Sequence, residues 1–363
     1  MAESITVRVP SNIALIKYWG KKDEKYNTPL NDSVSLTIDD LYAETTIKYD
    51  YQTGKDSVVI NGQNVDLTTS PRFQKCFEEV RKLLRKKAKI DDKGEVLHPV
   101  YSFYVTSTTN FPVGAGLASS AAGFAAIAFA MGKLFDFDKK AVSRMARLGS
   151  GSACRSICEG LAHWKTGIDE CGSDSFALSI APISLWESLR AIILVLDDSE
   201  KKIGSTIGMQ RTASTSTLIE LRVKKIVPKR VEEIREAFEK NDFEELGRII
   251  MMDSNQFHAL CLDTYPPIKY LNNDSWKVIQ LIHKFNEGGI RAAYTFDAGP
   301  NACLFTTEKN MDNLITAIKE HFYLENITVE GKVISQKSQE DPNKSKVLNM
   351  IQSTVGNGPR VVS

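Results

Sequence analysis

The sequence lacks an excess of charge of either sign. Its 46 Lys and Arg residues are matched by 45 Asp and Glu residues. Proteins that bind nucleic acids or anionic membranes usually carry a basic surplus, which attracts phosphate groups over long distances. The balance therefore argues against nucleic-acid and membrane partners. Any anionic ligand must be held by the local placement of cations.

Signatures of metal and disulfide sites are also missing. The six cysteines, at positions 76, 154, 158, 171, 261 and 303, form no Cys-x-x-Cys, and the histidines are not clustered. This excludes a zinc site or a disulfide framework of the usual spacing and suits a reducing compartment. His258 and Cys261 share a helical face, where core packing is favoured over metal ligation.

Long apolar runs and targeting signals are absent as well. The N-terminal residues include neither a basic region nor a signal-like apolar segment, and no stretch is long enough to span a membrane. We expect a cytoplasmic protein, with organelle import left open. A chain of 363 residues with 42% apolar residues can hold two modest domains, and we find no internal repeat.

A glycine- and serine-rich stretch, NFPVGAGLASSAAG at residues 110–123, follows an alternating run at 101–107 that predicts a strand. A small apolar run at 124–131 then predicts a buried helix. Gly114 and Gly116 would let the backbone turn close to a ligand. Ser119 and Ser120 would lie in the first helical turn, where free N–H groups favour an anion. A phosphate site and a packing device both fit.

Two familiar phosphate-binding motifs do not match this stretch. No Gly-Lys-Ser/Thr closes it, as a Walker loop requires. No acidic residue follows a second parallel strand at the distance that a dinucleotide fold needs. The stretch is therefore neither a Walker loop nor a dinucleotide fingerprint.

Three further segments carry candidate binding residues. Lys17 lies among aromatic residues, where it either extends along packed rings or stands in a partly dry cleft. Ser150, Ser152 and Arg155 follow a glycine-flanked helix break, which is either a second anion site or a serine-capped break. Asp297 begins a glycine-proline turn, which is ordinary turn chemistry or a catalytic carboxylate.

Four motifs in this order resemble the GHMP kinase superfamily and, within it, the diphosphomevalonate (mevalonate diphosphate) decarboxylase family. They are NIALIKYWGK at 12–21, PVGAGLASSA at 112–121, SGSACR at 150–155 and YTFDAGPN at 294–301. The resemblance extends over essentially the whole chain. It implies an α+β, two-layer GHMP kinase fold, with an N-terminal lobe like a ribosomal small-subunit protein, a ferredoxin-like C-terminal lobe and an active-site cleft between them.

The resemblance also implies a reaction. An ATP-dependent carboxy-lyase of this family converts (R)-mevalonate 5-diphosphate to isopentenyl diphosphate, ADP, phosphate and CO2, in the mevalonate pathway of isoprenoid and sterol biosynthesis. It implies ATP and Mg²⁺ as cofactors, with no metal ligands that the sequence identifies, and a homodimer. The implied domains are residues 1–187, with the ATP and substrate phosphate sites, and residues 188–363, which supply the catalytic aspartate.

The resemblance assigns the site residues as well. The implied catalytic residues are Asp297, Lys17, Arg155, Asn12 and Ser120. The implied substrate-binding residues are Tyr18, Trp19, Gly20, Lys21, Arg72, Ser150, Gly151, Ser152, Ala153, Cys154, Arg155, Ser205 and Thr206. The implied ATP-binding residues are Asn110, Pro112, Gly114, Gly116, Leu117, Ala118, Ser119 and Ser120.

Periodicity predicts most of the remaining elements. We expect strands at 5–9, ended by Pro10, and at 33–39, 44–49, 57–60, 191–196, 292–296 and 302–306. Helices are expected from Pro71, from an Asp138 cap, and at 228–240, 242–252 and 275–286, with a helix, a strand and a polar tail beyond Asp312. The basic run at 81–89 is interpreted as a solvated helix face rather than a nucleotide contact.

Two rival functions remain open at this point. A GHMP small-molecule kinase would stop at the phosphorylated alcohol or would take mevalonate monophosphate; Arg72 and Thr206 favour the diphosphate. A non-catalytic protein that binds phosphorylated ligands would keep the fold without turnover. Pure binding would not need Lys17, Arg155 and Asp297 together.

Overall fold

A computed structural model describes residues 3–50, 55–87, 101–111, 119–199, 201–334 and 343–363. The strands are β1 (Glu3–Ile16), β2 (Lys21–Asp23), β3 (Thr28–Pro29), β4 (Ser33–Asp50), β5 (Ser57–Ile60), β6 (Gln63–Asn64), β7 (Ser102–Thr109), β8 (Leu161–Trp164), β9 (Ala177–Ala181), β10 (Leu189–Val195), β11 (Ala292–Phe296), β12 (Ala302–Thr307), β13 (Phe322–Leu324), β14 (Ile327–Val329), β15 (Lys332–Ile334), β16 (Ser345–Val347), β17 (Asn349–Thr354) and β18 (Arg360–Val361).

The helices are α1 (Pro71–Lys87), α2 (Ser119–Leu134), α3 (Lys139–Gly149), α4 (Ala153–Ser156), α5 (Ser205–Thr215), α6 (Ile219–Leu221), α7 (Val227–Glu239), α8 (Phe243–Asp263), α9 (Asn273–Phe285) and α10 (Glu308–His321). A 3₁₀ turn spans Ile183–Leu185, and a π-helical turn, Arg222–Ile226, joins α6 to α7.

Two sheets carry the two lobes. The first has the order β18-β1-β4-β7-β5-β6, and β8 and β9 extend from β4. Helix α2 packs on β1 and β4, and its small apolar residues let it lie close to the sheet. The second sheet has the order β11-β12-β10-β17-β14-β15, with α8 and α9 against β11 and α10 against β12. The architecture is α+β in two lobes.

Several local predictions are confirmed. The side chain of Asp138 accepts a hydrogen bond from the backbone N–H of Ala141 and caps α3. Asn61 and Gly62 both have positive φ angles and form the tight turn between β5 and β6. On α1, Phe73 and Phe77 are buried while the described basic residues near its end, Arg85 to Lys87, are exposed.

The prediction that Pro10 ends the first strand is wrong. Strand β1 continues to Ile16, and its register against β4 shifts between Pro10 and Ser11. Because this irregularity changes the ladder where proline offers no N–H, the strand can pass through it. The two strands expected at 33–39 and 44–49 are likewise one, β4, which follows β1 through the same irregularity.

The polar tail predicted beyond Asp312 is also wrong. After α10, β17 enters the second sheet between β10 and β14, and β18 pairs with β1 at the edge of the first sheet. Met350 and Ile351 on β17 are buried. Short strands interrupted by polar residues conceal this part of the core from a periodicity argument.

Candidate active site

A cavity of about 600 Å³ is lined by residues of both lobes. Its lining includes Lys17 after β1, Arg72 on α1, Ser120 on α2, Arg155 on α4 and Asp297 after β11. Six basic side chains, Lys17, Lys21, Arg72, Lys75, Arg155 and Lys201, are set against two carboxylates, Glu24 and Asp297. Although the whole chain is almost neutral, this cavity therefore attracts anions.

Lys17 and Asp297 form an ion pair at the base of the cavity. Their Nζ and Oδ1 atoms are 2.6 Å apart, and Nζ also donates to the carbonyl of Ala14 at 2.8 Å. The Lys17 side chain is 3% exposed and that of Asp297 is 29% exposed. The carboxylate can therefore meet a ligand while the lysine is held behind it in a poorly screened environment.

Arg155 is positioned by Asn12. The Arg155 Nε donates to Asn12 Oδ1 at 3.1 Å, and Asn12 Nδ2 donates to Ser156 Oγ at 2.7 Å and to the Ser152 carbonyl at 2.9 Å. The guanidinium lies over the Trp164 ring. Its Nη1 is buried and has no hydrogen-bond partner among the described residues. An unsatisfied buried donor in a cavity wall fits a carboxylate or phosphate oxygen.

The first turn of α2 faces this cavity. Ser120 lines it, and Ser120 Oγ is 3.4 Å from Ser150 Oγ, so the two candidate anion sites meet there. The helix begins at Ser119, whose side chain is not described, and carries no acidic residue in its first turn. Pro112, Gly114, Gly116, Leu117 and Ala118 of the predicted ATP loop lie outside the described residues.

The cavity lining offers further hydrogen-bond donors. The Tyr18 hydroxyl is buried without a described partner, and burial raises the pKa of this phenol, so that it remains a neutral donor. Arg72 donates from Nε to the Gly149 carbonyl and lies over the Phe124 ring. Burial lowers the pKa of Lys21, an effect that Glu24 opposes.

The remaining predicted residues lie at different depths. Gly151, Ser152, Ser205, Thr206 and Trp19 line the cavity, and Ser205 and Thr206 begin α5. Ala153 and Cys154 are buried in α4, and Gly20 is buried beside Leu30. Asn110 bonds the backbone of Asp40 and Tyr42 at the end of β7 and is not part of the cavity lining.

Sequence reasoning missed three charged residues of the lining. Lys75 lies one turn after Arg72 on α1, a spacing that could have indicated it. Glu24 and Lys201 lie outside the four motifs and carry no such signal. Burial lowers the pKa of Lys201, and the negative charge of Asp297 opposes that shift.

The described residues contain no group of three or more His, Cys, Asp or Glu side chains that could hold a metal ion. Mg²⁺ is commonly held by substrate phosphates with only one or two protein carboxylates. The cations and hydroxyls of the cavity therefore fit a polyphosphate that brings its own Mg²⁺. Within the same described ranges, no helix combines the length and the apolar character needed to cross a membrane.

Comparison with known proteins identifies the family to which this chain belongs. Residues 9–177 match the model of the diphosphomevalonate decarboxylase-like N-terminal domain, and residues 191–362 match that of the mevalonate 5-diphosphate decarboxylase C-terminal domain. The diphosphomevalonate decarboxylases of Rattus norvegicus and Candida albicans are 41% and 42% identical to the chain, covering 99% of it and 93% and 98% of their own lengths. The chain belongs to the diphosphomevalonate decarboxylase family.

Solved structures of this family have the same fold. The mevalonate diphosphate decarboxylase from Trypanosoma brucei superposes with a TM-score of 0.87 at 31% identity, over 99% of this chain and 98% of that one. That of Enterococcus faecalis, studied for mevalonate-diphosphate-mediated ATP binding, gives 0.79 at 30% identity over the whole of both chains. A further match, at 0.79, 31% identity and full coverage of both chains, is a complex with MVAPP, AMPPCP and magnesium. The predicted GHMP kinase fold class is confirmed.

Proposed function

We propose that this cavity decarboxylates (R)-mevalonate 5-diphosphate at the expense of ATP, with Lys17 and Asp297 at the reacting hydroxyl. The activity is that of the family, an ATP-dependent carboxy-lyase. The observation that carries the assignment of roles is the Lys17–Asp297 pair, 2.6 Å apart, facing a cavity lined by cations and by the first turn of α2.

The reaction requires two steps because a tertiary hydroxide is a poor leaving group. The 3-hydroxyl oxygen attacks the γ-phosphorus of ATP, ADP departs, and the hydroxyl proton passes to a base. The carbon–oxygen bond to the new phosphate then breaks. Electrons from the bond to the carboxylate form the double bond of isopentenyl diphosphate as CO2 leaves. The site must therefore neutralise phosphate charge, stabilise an electron-poor carbon and exclude water.

Asp297 is the base in this proposal. Its carboxylate is partly exposed to the cavity and can accept the hydroxyl proton. After that proton has passed to solvent, the carboxylate is charged again and can stabilise positive charge at the tertiary carbon. Lys17 Nζ, fixed between Asp297 and the Ala14 carbonyl, counters the charge on the transferred phosphoryl oxygens. Ser120, on the first turn of α2, would contact the same phosphoryl group.

Arg155 holds the substrate carboxylate. Its unpartnered Nη1 is available for a carboxylate oxygen, and Asn12 fixes the orientation of the guanidinium plane. The diphosphate lies against donors that both lobes contribute to the cavity lining. These donors are Tyr18, Lys21, Arg72, Ser150, Ser152 and Thr206, together with Lys75 and Lys201.

ATP binds at the N-terminus of α2 in this proposal, with Ser119 and Ser120 next to its phosphates. Mg²⁺ would bind as a complex with ATP, and when bound it would neutralise part of the phosphate charge. We further propose the division into residues 1–187 and 188–363, with β18 of the second part returning to the first sheet, a homodimeric assembly and a cytoplasmic location. The six cysteines are all free, which suits a reducing compartment and supports the last.

The test measures ATP-dependent release of CO2 from carboxyl-labelled mevalonate 5-diphosphate, with ADP followed in the same tube. Equal amounts of ADP and CO2 are expected. Release of ADP without CO2 would make the protein a kinase that stops at the phosphorylated alcohol. Absence of both products, with ligand binding retained, would make it a binding protein. Mevalonate 5-phosphate, run in parallel, tests the requirement for the diphosphate.

A further inference from the structure

Helix α8 contacts both β1 and β11, the strands that precede Lys17 and Asp297 respectively. Two consecutive residues of α8 form the decisive contacts. The backbone N–H of Lys17 donates to Asp253 Oδ2 at 2.7 Å. The backbone N–H of Phe296, the residue before Asp297, donates to Ser254 Oγ at 3.1 Å. The backbone of Lys17 and that of the residue preceding Asp297 are thus anchored to neighbouring residues of one helix.

Asp253 is itself fixed by arginine. Arg222 meets its carboxylate with two nitrogens, each 3.0 Å from a different oxygen, and Arg230 Nη1 approaches Oδ1 at 2.8 Å. Arg222 and Asp253 are both fully buried. Burial alone would raise the pKa of Asp253, but the two arginines and their hydrogen bonds hold it below its usual range. The carboxylate is therefore charged and constrained in orientation.

Arg222 also contacts Lys17 directly. Its Nη2 donates to the Lys17 carbonyl at 2.8 Å, so the N–H and the C=O of the same residue are both fixed by the Arg222–Asp253 pair. Arg222 begins the π-helical turn that precedes α7. π-turns are rare and are often found at functional sites. A buried ion pair adds little net stability, since desolvation offsets the attraction, so its geometry is the more informative property.

We propose that Asp253, Ser254 and Arg222 are positioning residues that set the distance between Lys17 and Asp297. Consecutive Cα atoms are about 3.8 Å apart, so the helix limits how far the two anchoring side chains can separate. Asn255, the next residue, accepts a hydrogen bond from the hydroxyl of Tyr294 at 3.1 Å and aligns the same strand, β11. This inference rests on the catalytic roles proposed above.

Arg222→Lys and Ser254→Ala are the test variants. The first retains the charge but cannot bridge both carboxylate oxygens and the Lys17 carbonyl; the second removes the acceptor for Phe296. Because a small misplacement of reacting groups is costly, kcat should fall about tenfold to a hundredfold. KM for ATP and for mevalonate 5-diphosphate should stay within about twofold, since the cavity lining is unchanged.

Arg230→Gln is the matched control. It removes a cation from the same carboxylate, but Arg230 makes no described hydrogen bond to Lys17. Its kcat should stay within about threefold of the wild type, and the unfolding temperature of each variant is measured to compare folding. Loss of kcat in Arg230→Gln equal to that in Arg222→Lys would show a structural effect and overturn the proposal. If Arg222→Lys does not fold, the kcat and KM values of Ser254→Ala test the proposal.

A double-mutant cycle distinguishes positioning from general weakening. Ser254→Ala should lower kcat in the wild-type background but leave the residual rate of Asp297→Asn nearly unchanged, because no carboxylate remains to be positioned. Equal losses in both backgrounds, or unchanged kcat in the single variants, would overturn the inference. Near-normal turnover of the single variant Asp297→Asn would instead refute the proposed catalytic role of Asp297. The change in kcat of Arg222→Lys would then test only the positioning of Lys17.

Discussion

At the scale of single residues, the cavity combines cations that are held in place with donors that have no partner inside the protein. Lys17 has its backbone and its side chain bonded, whereas Arg155 Nη1 and the Tyr18 hydroxyl are buried and unsatisfied within the described residues. Leaving a buried donor unpaired costs about 1–3 kcal/mol. A ligand that supplies acceptor oxygens recovers that free energy on binding, which adds to the attraction that the six cations of the lining exert on an anionic substrate.

Replacement of Asp297 by Asn should separate binding from catalysis. Asn retains the size of the side chain but cannot accept the hydroxyl proton as a carboxylate does, so turnover should fall by about 10²–10⁴-fold. Binding of ATP and of mevalonate 5-diphosphate, measured by calorimetry, should persist. Turnover near that of the wild type would contradict the role of Asp297 as base.

Arg155→Lys tests the substrate carboxylate contact. Lysine keeps the charge but loses the planar fork and the Nε–H bond to Asn12. Both kcat and the affinity for mevalonate 5-diphosphate should fall, by about tenfold or more. The affinity for ATP, measured in parallel, should change little. If kinetic parameters for the substrate are unaltered, the carboxylate is bound elsewhere.

At the scale of elements, α1, α2 and α3 meet where Gly149 ends α3. A Cβ at Gly149 would collide with the ring of Phe124 on α2, the ring over which Arg72 of α1 lies at 4.6 Å. The close approach of the α3 and α2 backbones thus positions a cation of the cavity wall. Glycine is needed here for space, not for an unusual backbone conformation.

Gly149→Ala should therefore destabilise the protein by about 1–3 kcal/mol through overpacking and should raise KM for mevalonate 5-diphosphate by displacing Arg72. Gly123→Ala on α2 is the matched control. Beyond the helix's own backbone, no described atom lies within 4 Å of the position that a Cβ would take at Gly123, so alanine should stabilise the helix by about 0.5–1 kcal/mol. Urea unfolding of the two variants should shift in opposite directions; a common direction would contradict this explanation.

Sequence periodicity identified most of the helices and the long strands because their apolar residues repeat at regular spacing, as on α1 and β7. It missed short strands such as β2, β3 and β6, which have too few residues to show a pattern. Periodicity failed at Pro10, where a shift in register lets the strand continue past the proline. It also failed beyond Asp312, where the strands are too short to be told from an irregular tail. Lys17, Arg155 and Asp297, which come from three of the motifs, line one cavity. Their catalytic roles stay predictions. The chain alone could not show that Lys201 reaches that cavity, since nothing in its spacing marks it.

One of the positioning residues, Asp253, could have been identified from the helical periodicity of the sequence. Asp253 stands on the apolar face of α8 with Ile249, Ile250 and Phe257, at helical spacing. A carboxylate in such a position requires a buried partner, so it predicts a cation nearby. The identity of that cation, Arg222, depends on how α8 packs against the preceding helical segment, which is a tertiary contact that local sequence does not specify.

At the scale of the whole molecule, the core behind the cavity makes stability depend on pH. His258 on α8 is 8% exposed and packs against Phe257 and Phe296. Burial, reinforced by the charge of Lys17, lowers the pKa of His258 to about 3. Between the ordinary pKa of 6.5 and the folded-state pKa of about 3, His258 binds a proton in the unfolded chain but not in the folded protein. The free energy of unfolding therefore falls as the pH decreases through this range.

The free energy of unfolding should fall by about 1.4 kcal/mol per pH unit below 6.5, or by about 2 kcal/mol at pH 5. His258→Asn should remove this dependence. Urea unfolding at pH 7.5 and pH 5 should therefore show a smaller difference for this variant than for the wild type. His321→Asn, on the exposed side of α10, is the control and should keep the dependence of the wild type. Parallel losses in His258→Asn and the wild type would exclude the histidine as the cause.

The pairing of β18 with β1 has a consequence for synthesis of the chain. Val7 lies opposite Val361, and the N–H of Thr6 donates to the carbonyl of Ser363 at 2.7 Å. Strand β1 leaves the ribosome before the rest of the first lobe, whereas β18 follows the whole second sheet in the chain. Until β18 has been synthesised, the nascent first lobe presents an unpaired strand edge to other chains. The first sheet is therefore completed only after the second lobe has been made.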